Sequence, residues 1–189
     1  MQAYALLPDN HFSGRPGQCT TDVMHLLVHK IKLAWQKGKV VAVLYPDVEA
    51  AFPNTVTSHL LHNLHMQQVP ERYVRFIEQM LMNWQTRLKF DGFMYKWVGV
   101  NNGIVQGDPL SMILYLFYNT DLLDGARTGK AKIAYVDDAN YYTEGVNFEE
   151  AYEKLHDMMV REGGGQDWSC WHNSRFETSK LTLVGFSRQ

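Results

Sequence analysis

Apolar positions along this chain recur in two periods, and the change of period marks the elements. Val23, Leu26, Leu27, Ile31 and Ala34 or Trp35 form one stripe at helical spacing, which predicts a helix from Thr21 to Lys37. Thr20 or Thr21 can cap it, Asp22 suits its positive end, and Gly38 closes it. Lys39 to Tyr45 has no polar face at all, which is the signature of a strand buried on both sides. Pro46 cannot donate to a sheet ladder, so regular pairing is expected to stop there or the strand to lie at an edge. Asp47 then stands at the carboxyl end of a buried strand. Val48 to Asn54 turns the chain into a helix from Thr57 to Met66. Pro70 and Glu71 open another helix, running to Trp84 with Tyr73, Ile77, Met80 and Leu81 toward the core. Arg87 to Asp91, Gly92, then Met94 to Val98 alternate around a glycine and predict a hairpin.

The second half continues in the same manner. Gly99 to Asp108 is a Gly- and Asn-rich loop. Asp108 as N-cap and Pro109 at the first helical position start a helix to Leu123 that is apolar nearly all round and therefore buried. Gly125 to Lys130 reads as a surface loop. Lys132 to Val136 and Ala139 to Thr143 are short apolar runs with Asp137 and Asp138 between them. Neighbouring side chains on a straight strand point to opposite faces, so two adjacent carboxylates serve one site only where the chain bends. A tight hairpin turn supplies that bend, and Asp tolerates its backbone angles. Asn147 caps a helix from Phe148 to Arg161. Gly163-Gly164-Gly165 stops it and is expected to act as a flexible link. Trp168 to Asn173 reads as irregular, and Leu181 to Phe186 as a last short strand.

Composition narrows the class. The chain has 189 residues, 46% of them hydrophobic and 13% aromatic, enough for one sizeable α/β core without internal repeats. The net charge of −2 argues against a nucleic-acid binder, or for a piece whose basic parts lie elsewhere. Cys19 and Cys170 have no metal-binding spacing; a reduced intracellular chain is the simpler reading and one disulfide the other. His25 and His29, and His62 and His65, share helical faces without completing a zinc set, so they read as surface positions. No apolar run is long enough to span a bilayer, so no membrane partner is expected.

Three carboxylates remain to be explained: Asp47 after the buried strand, and Asp137 and Asp138 in the turn. Strands of one small domain tend to share a sheet, which would bring the three to one end of it. Converging carboxylates are hard oxygen ligands suited to Mg²⁺, which keeps its remaining sites for water and phosphate oxygens. Two such ions about 3.5–4 Å apart can activate one oxygen and stabilise the leaving one in an in-line phosphoryl transfer. An ordinary polar hairpin turn is the simpler account of Asp137-Asp138 taken alone.

The flanking segments shift that balance. Tyr135-Val136-Asp137-Asp138 resembles the Tyr-x-Asp-Asp signature of reverse transcriptases. Asp47-Val48-Glu49-Ala50-Ala51-Phe52 resembles the first palm motif of that family, and Asn102 to Ser111, with Gln106-Gly107, the second. Phe12 to Gly17 with Thr20-Thr21 is similar to the segment before the first motif in non-LTR retrotransposon and group II intron enzymes. His172-Asn173 followed by Lys180 and Phe186 resembles the fourth motif. The resemblance is to the polymerase domain of non-LTR (LINE-like) retrotransposons, with wording of a fungal type, and it covers nearly the whole chain.

What it implies is an RNA-directed DNA polymerase: an antiparallel palm sheet backed by helices, with part of the fingers. Two Mg²⁺ ions (Mn²⁺ as the substitute) would be held by Asp47, Asp137, Asp138 and the main-chain carbonyl of Val48. Phe52 would lie under the incoming sugar, although on residues alone it reads equally as a core aromatic. Gln106 and Gly107 would border nucleotide and template, Tyr135 the primer end, and Arg15 a template phosphate. Lys180 would be the general acid for the leaving pyrophosphate; otherwise it is a solvated lysine before a strand. The implied partners are an RNA template, a DNA primer and dNTPs, and the implied compartment is the nucleus. Two departures stand out: Val105 replaces the usual Pro of the second motif, and Pro46 precedes Asp47 where an aliphatic residue is usual. The finger segments before the first motifs and the thumb after the last are not in the sequence, so weak or no processive synthesis is expected. The alternative function is a palm domain that binds nucleic acid or protein without polymerising.

Overall fold

The computed structural model describes residues 7–124 and 132–188, so the loop expected at Gly125 to Lys130 lies outside the described residues. The chain runs α1 (Thr20–Gln36), β1 (Val40–Tyr45), α2 (Thr57–Met66), α3 (Glu71–Leu81), β2 (Trp84–Thr86), β3 (Lys89–Phe90), β4 (Phe93–Met94) and β5 (Val98–Val100). It continues through α4 (Pro109–Tyr118), α5 (Thr120–Asp124), β6 (Lys132–Tyr135), β7 (Asp138–Gly145), α6 (Phe148–Val160), α7 (Gly165–Trp171) and β8 (Thr182–Phe186).

The unbroken apolar run of β1 is accounted for by its position. It lies inside a four-stranded sheet of order β6-β7-β1-β8, antiparallel throughout. Val41 and Val43 face α1, where they join Ile133, Tyr142 and the predicted stripe of Val23, Leu27, Ile31 and Ala34. Ala42 and Leu44 face the other way, into the larger core with Ala134, Ala139 and Tyr141 from the sheet and residues of α2 to α7. Each such buried aliphatic contributes about 1.5–3 kcal/mol relative to exposure. The expected α/β palm arrangement holds, with helices on both faces of the antiparallel sheet.

Several local expectations need correction. Of the two outcomes expected at Pro46 the first holds: pairing stops just before it, at Tyr45 on one side and Leu44 on the other, and β1 is an inner strand, not an edge. The first helix starts one residue early, with Cys19 at the N-cap, its N–H donating to Asp22 Oδ2 at 2.7 Å. On α3, Val74 takes the core position and Tyr73 is exposed. The single hairpin expected from Arg87 to Val98 is two stacked pairs, β3–β4 around Asp91-Gly92 and β2–β5 outside them. Positive φ at both Asp91 and Gly92 matches the Asp-Gly preference of tight hairpin turns. The helix from Pro109 stops at Asn119, the cap residue, and a separate short α5 follows. Its apolar girdle is also not complete, because Met112 is exposed.

The triple glycine is not a link. Gly163 has φ 69°, and its N–H is taken by Asp167 Oδ2 at 2.8 Å, so the turn leads directly into α7. A Cβ on Gly164 would stand 2.7 Å from the Arg161 carbonyl oxygen, which only glycine avoids. The segment read as irregular is therefore helical to Trp171, and it buries Trp168 and His172. Cys19 and Cys170 are free, exposed thiols. Among the described residues, no helix is long and apolar enough to cross a membrane.

Candidate active site

Strand register brings the sequence-predicted residues to one end of the sheet. Val40 to Leu44 pair with Gly145 to Tyr141, and continuing that register sets Asp47 level with Asp138. On the other side the ladder ends where Tyr45 pairs with Thr182, the Asp47 carbonyl accepts from Glu177 N–H, and Lys180 extends its side chain to Asp47 from the turn between them. The Asp-Asp turn is at that end too, because Tyr135 pairs with Asp138 and leaves Val136 and Asp137 as the loop.

The turn is strained in a specific way. Val136 has φ 55°, a left-handed conformation that costs a β-branched residue about 1–3 kcal/mol. Its carbonyl accepts a 3.1 Å hydrogen bond from Asn119 Nδ2, the residue that ends α4. Beneath it, His11 is fully buried in a segment bridged to β6: Phe12 N–H donates to the Ala134 carbonyl and Ala134 N–H to that of Asn10, each at 3.0 Å. Burial pushes the His11 imidazole down to about 4, and its contact with the Val136 backbone opposes only part of that. Asn119 and His11 were not singled out in the sequence. An Asn at a helix end and a lone His in a loop carry no signal until the fold places them behind the turn.

The electrostatics record the carboxylates' mutual proximity. The Asp138 carboxyl is raised above the ordinary range, first by desolvation from its surroundings and then by the charges of Asp137 and Asp47. Asp47 Oδ2 accepts a 2.8 Å hydrogen bond from Lys180 Nζ, and that bond together with the Asp47 charge holds the ammonium above its usual value. The Lys180 ammonium thus stands where a cation bound by Asp47 would compete with it. Among the described residues, no three of the His, Cys, Asp and Glu side chains converge closely enough to hold a metal ion as they stand. The donor chemistry nevertheless suits a hard divalent cation, which would relieve the repulsion that the Asp137 and Asp47 charges exert on the Asp138 carboxylate.

Val48 is the non-hydrogen-bonded partner of Phe176 in an isolated bridge, flanked by Glu49 N–H to the Arg175 carbonyl and Glu177 N–H to that of Asp47, both 2.8 Å. In that pattern its own carbonyl points away from Phe176. Phe52 is half-buried, its ring 5.1 Å from that of Tyr115, so one face rests on the core. The Tyr115 hydroxyl is buried, has no hydrogen-bond partner among the described residues, and is pushed strongly up by burial and then by the Asp137 charge. Tyr115 is a further residue next to the site that the apolar pattern of α4 concealed.

Gln106 and Gly107 are exposed at the turn before α4, whose first N–H groups Asp108 caps through a 2.7 Å bond to Leu110 N. That loop is fastened to the turn after Asp47: Gly103 N–H donates to the Thr55 carbonyl at 2.7 Å and Ile104 N–H to that of Phe52 at 2.9 Å. Arg15 has a bracing role within the chain. Its Nε donates to the His11 carbonyl at 2.9 Å and its Nη2 to those of Leu7 and Pro8 at 3.0 and 2.8 Å, which braces the loop that carries His11. Tyr135 packs partly buried against the α1 side of the sheet.

The family profile described as reverse transcriptase (RNA-dependent DNA polymerase) matches residues 1–164. The chain belongs to the reverse transcriptase family. A probable RNA-directed DNA polymerase from transposon X-element of Drosophila melanogaster is 25% identical over 191 residues, 99% of this chain and 20% of that protein. This chain therefore spans about a fifth of the length of that relative. Telomerase from Candida tropicalis in complex with a TWJ fragment of telomeric RNA superposes with TM-score 0.68 at 10% identity, over 93% of this chain and 30% of the telomerase. Telomerase from Candida albicans, also with a TWJ fragment, gives TM-score 0.58 at 12% identity over 97% of this chain and 32% of that one. At such identity the likeness is one of fold, and it is the palm-type fold that the strand register describes. The expectation of a reverse transcriptase domain of the retrotransposon kind holds.

Proposed function

We propose that this reverse transcriptase domain is the catalytic part of an RNA-directed DNA polymerase, adding nucleotides from dNTPs to a DNA primer on an RNA template. The reading extends to a non-LTR retrotransposon protein that acts in the nucleus. The observation that carries it is the gathering of Asp47, Asp137 and Asp138 at one sheet end, with each carboxylate felt by Asp138.

Asp47, Asp137, Asp138 and the Val48 carbonyl are the groups that would hold two Mg²⁺ ions, with Mn²⁺ as substitute. Bound there, the ions supply activation of the primer 3′-hydroxyl and neutralisation of charge on the transferred phosphate. The protein's own residues do the positioning. Asn119 holds the strained Val136 and so fixes the direction of Asp137. Phe52, backed by Tyr115, offers a rigid ring to the sugar of an incoming nucleotide. Gln106 and Gly107 present an exposed edge to the template, held in register with Phe52 by the Gly103 and Ile104 bonds. Lys180 stays protonated at neutral pH and sits beside Asp47, placed to give a proton to a departing pyrophosphate. A palm that binds nucleic acid or protein without polymerising is the second reading. It is favoured by Lys180 occupying Asp47 and by the carboxylates standing short of a metal trio.

The test is single-nucleotide addition to an oligo-dT primer on poly-rA with dTTP and Mg²⁺. The proposal expects extended primer with the purified chain and none with Asp137→Asn. No addition by the wild type, or equal addition by both proteins, favours the second reading.

A further inference from the structure

The segment from β2 to β5 stands clear of the body. Residues 85–99 are all exposed, on both faces of the ribbon. A two-stranded ribbon is marginal in water by itself, and it does not ordinarily expose large apolar side chains. This one exposes Phe90 at 60%, Phe93 at 50%, Tyr95 at 44% and Trp97 at 57%.

The rings form a series. Phe90 and Phe93 are directly paired across β3 and β4, with ring centroids 5.3 Å apart, and Tyr95, just past β4, has its ring 6.4 Å from that of Phe93. Cations are interleaved with them. Arg87 lies over the Trp97 ring at 4.4 Å, and Lys96 Nζ is 5.9 Å from the Tyr95 centroid. With Lys89 the ribbon carries three cations against one carboxylate, Asp91, in a chain whose net charge is −2. Trp84 anchors the base by donating from Nε1 to the Met80 carbonyl. There the ribbon borders a cleft of about 680 Å³ shared with Pro53 and with Gly103 to Val105, the loop that leads to Gln106.

We propose that this ribbon is a binding surface for single-stranded nucleic acid, which carries the template strand toward the Gln106-Gly107 turn. Exposed aromatic rings offer stacking faces to bases of any sequence, and the interleaved cations match the phosphate backbone. A protein partner would be served by the rings, but it gains nothing from positive charge concentrated on a ribbon of an acidic chain. The assignment of the strand as template rests on the polymerase reading; the binding surface itself does not.

The experiment is fluorescence anisotropy of a labelled single-stranded oligo-rU with the purified chain, in EDTA, across a salt series. Phe93→Ser with Trp97→Ser is expected to weaken binding at least about tenfold while leaving the melting temperature near that of wild type. Arg87→Glu with Lys89→Glu and Lys96→Glu is expected to lower the salt slope by about 2, since each single-strand phosphate contact contributes about 0.7. The charge variant keeps every ring, so it decides the question if the ring variant fails to fold. Unchanged affinity in both variants overturns the proposal. So does loss of wild-type self-association in the ring variant with RNA affinity intact, which would make the ribbon a protein interface. Because no metal is present, the outcome is independent of primer extension: failure of the Asp137→Asn test alone would leave the ribbon result standing.

Discussion

Asp138 is the residue at which the electrostatics of the site can be read in solution. Its folded-state pKa is raised, so the folded chain binds its proton more tightly than the unfolded chain does. Stability therefore rises as pH falls from the raised value to the ordinary aspartate value, and at neutral pH the full penalty of the charged turn is present. Asp137→Asn removes one of the charges responsible. Its melting temperature at neutral pH is expected to be equal to or above wild type by differential scanning calorimetry; a large loss would mark Asp137 as a structural turn residue. His11 has the opposite sign. Its imidazole is lowered from 6.5 to about 4, so the unfolded chain takes up the proton first, and stability is lost as pH falls from 6.5 to about 4. A shift of that size corresponds to about 3 kcal/mol over the window. Urea midpoints of His11→Phe should show a flatter decline across that window than wild type. Parallel pH profiles would contradict the buried, neutral imidazole.

At the scale of elements, the decisive joint is the one between the turn after β1 and the loop before α4. Gly103 has φ 96°, and a Cβ there would lie 2.6 Å from the Pro53 carbonyl oxygen. Gly103→Ala must therefore open the joint or strain it, at about 1–3 kcal/mol, because the alanine is wrong for both the angle and the space. Thermal melting should show that loss, and a variant as stable as wild type would mean the two loops are not fastened together. The joint also explains why the elements were easier to read than their connections. The β1 run and the α1 stripe are periodic and hydrophobic, so burial alone dictates them. At the break, the Asn119 side chain bonds to a carbonyl seventeen residues ahead in the chain, which no local pattern contains. Three glycines in a row hide the helix after Gly164, because they suggest flexibility, whereas Gly164 is required by close packing and Gly163 by its angle.

For the molecule as a whole, sequence motifs in a consistent order were enough to point to the fold and to bring Asp47, Asp137, Asp138 and Lys180 into one reading. Strand register then sets the three carboxylates at one end of the sheet, and a side-chain hydrogen bond to Asp47 adds Lys180. What the motifs did not contain was how that end is braced: Tyr115 under Phe52, Asn119 on Val136, and Arg15 turned inward to support the His11 loop. The charged sheet end is proposed as a divalent-metal site where the Lys180 ammonium now holds Asp47. Titration of the purified chain with Mn²⁺, followed by electron paramagnetic resonance, tests it most directly. Bound Mn²⁺ that Mg²⁺ displaces is expected, with loss of that binding in Asp47→Asn and Asp137→Asn and tighter binding in Lys180→Ala. Identical titration curves for wild type and the two aspartate variants would contradict it.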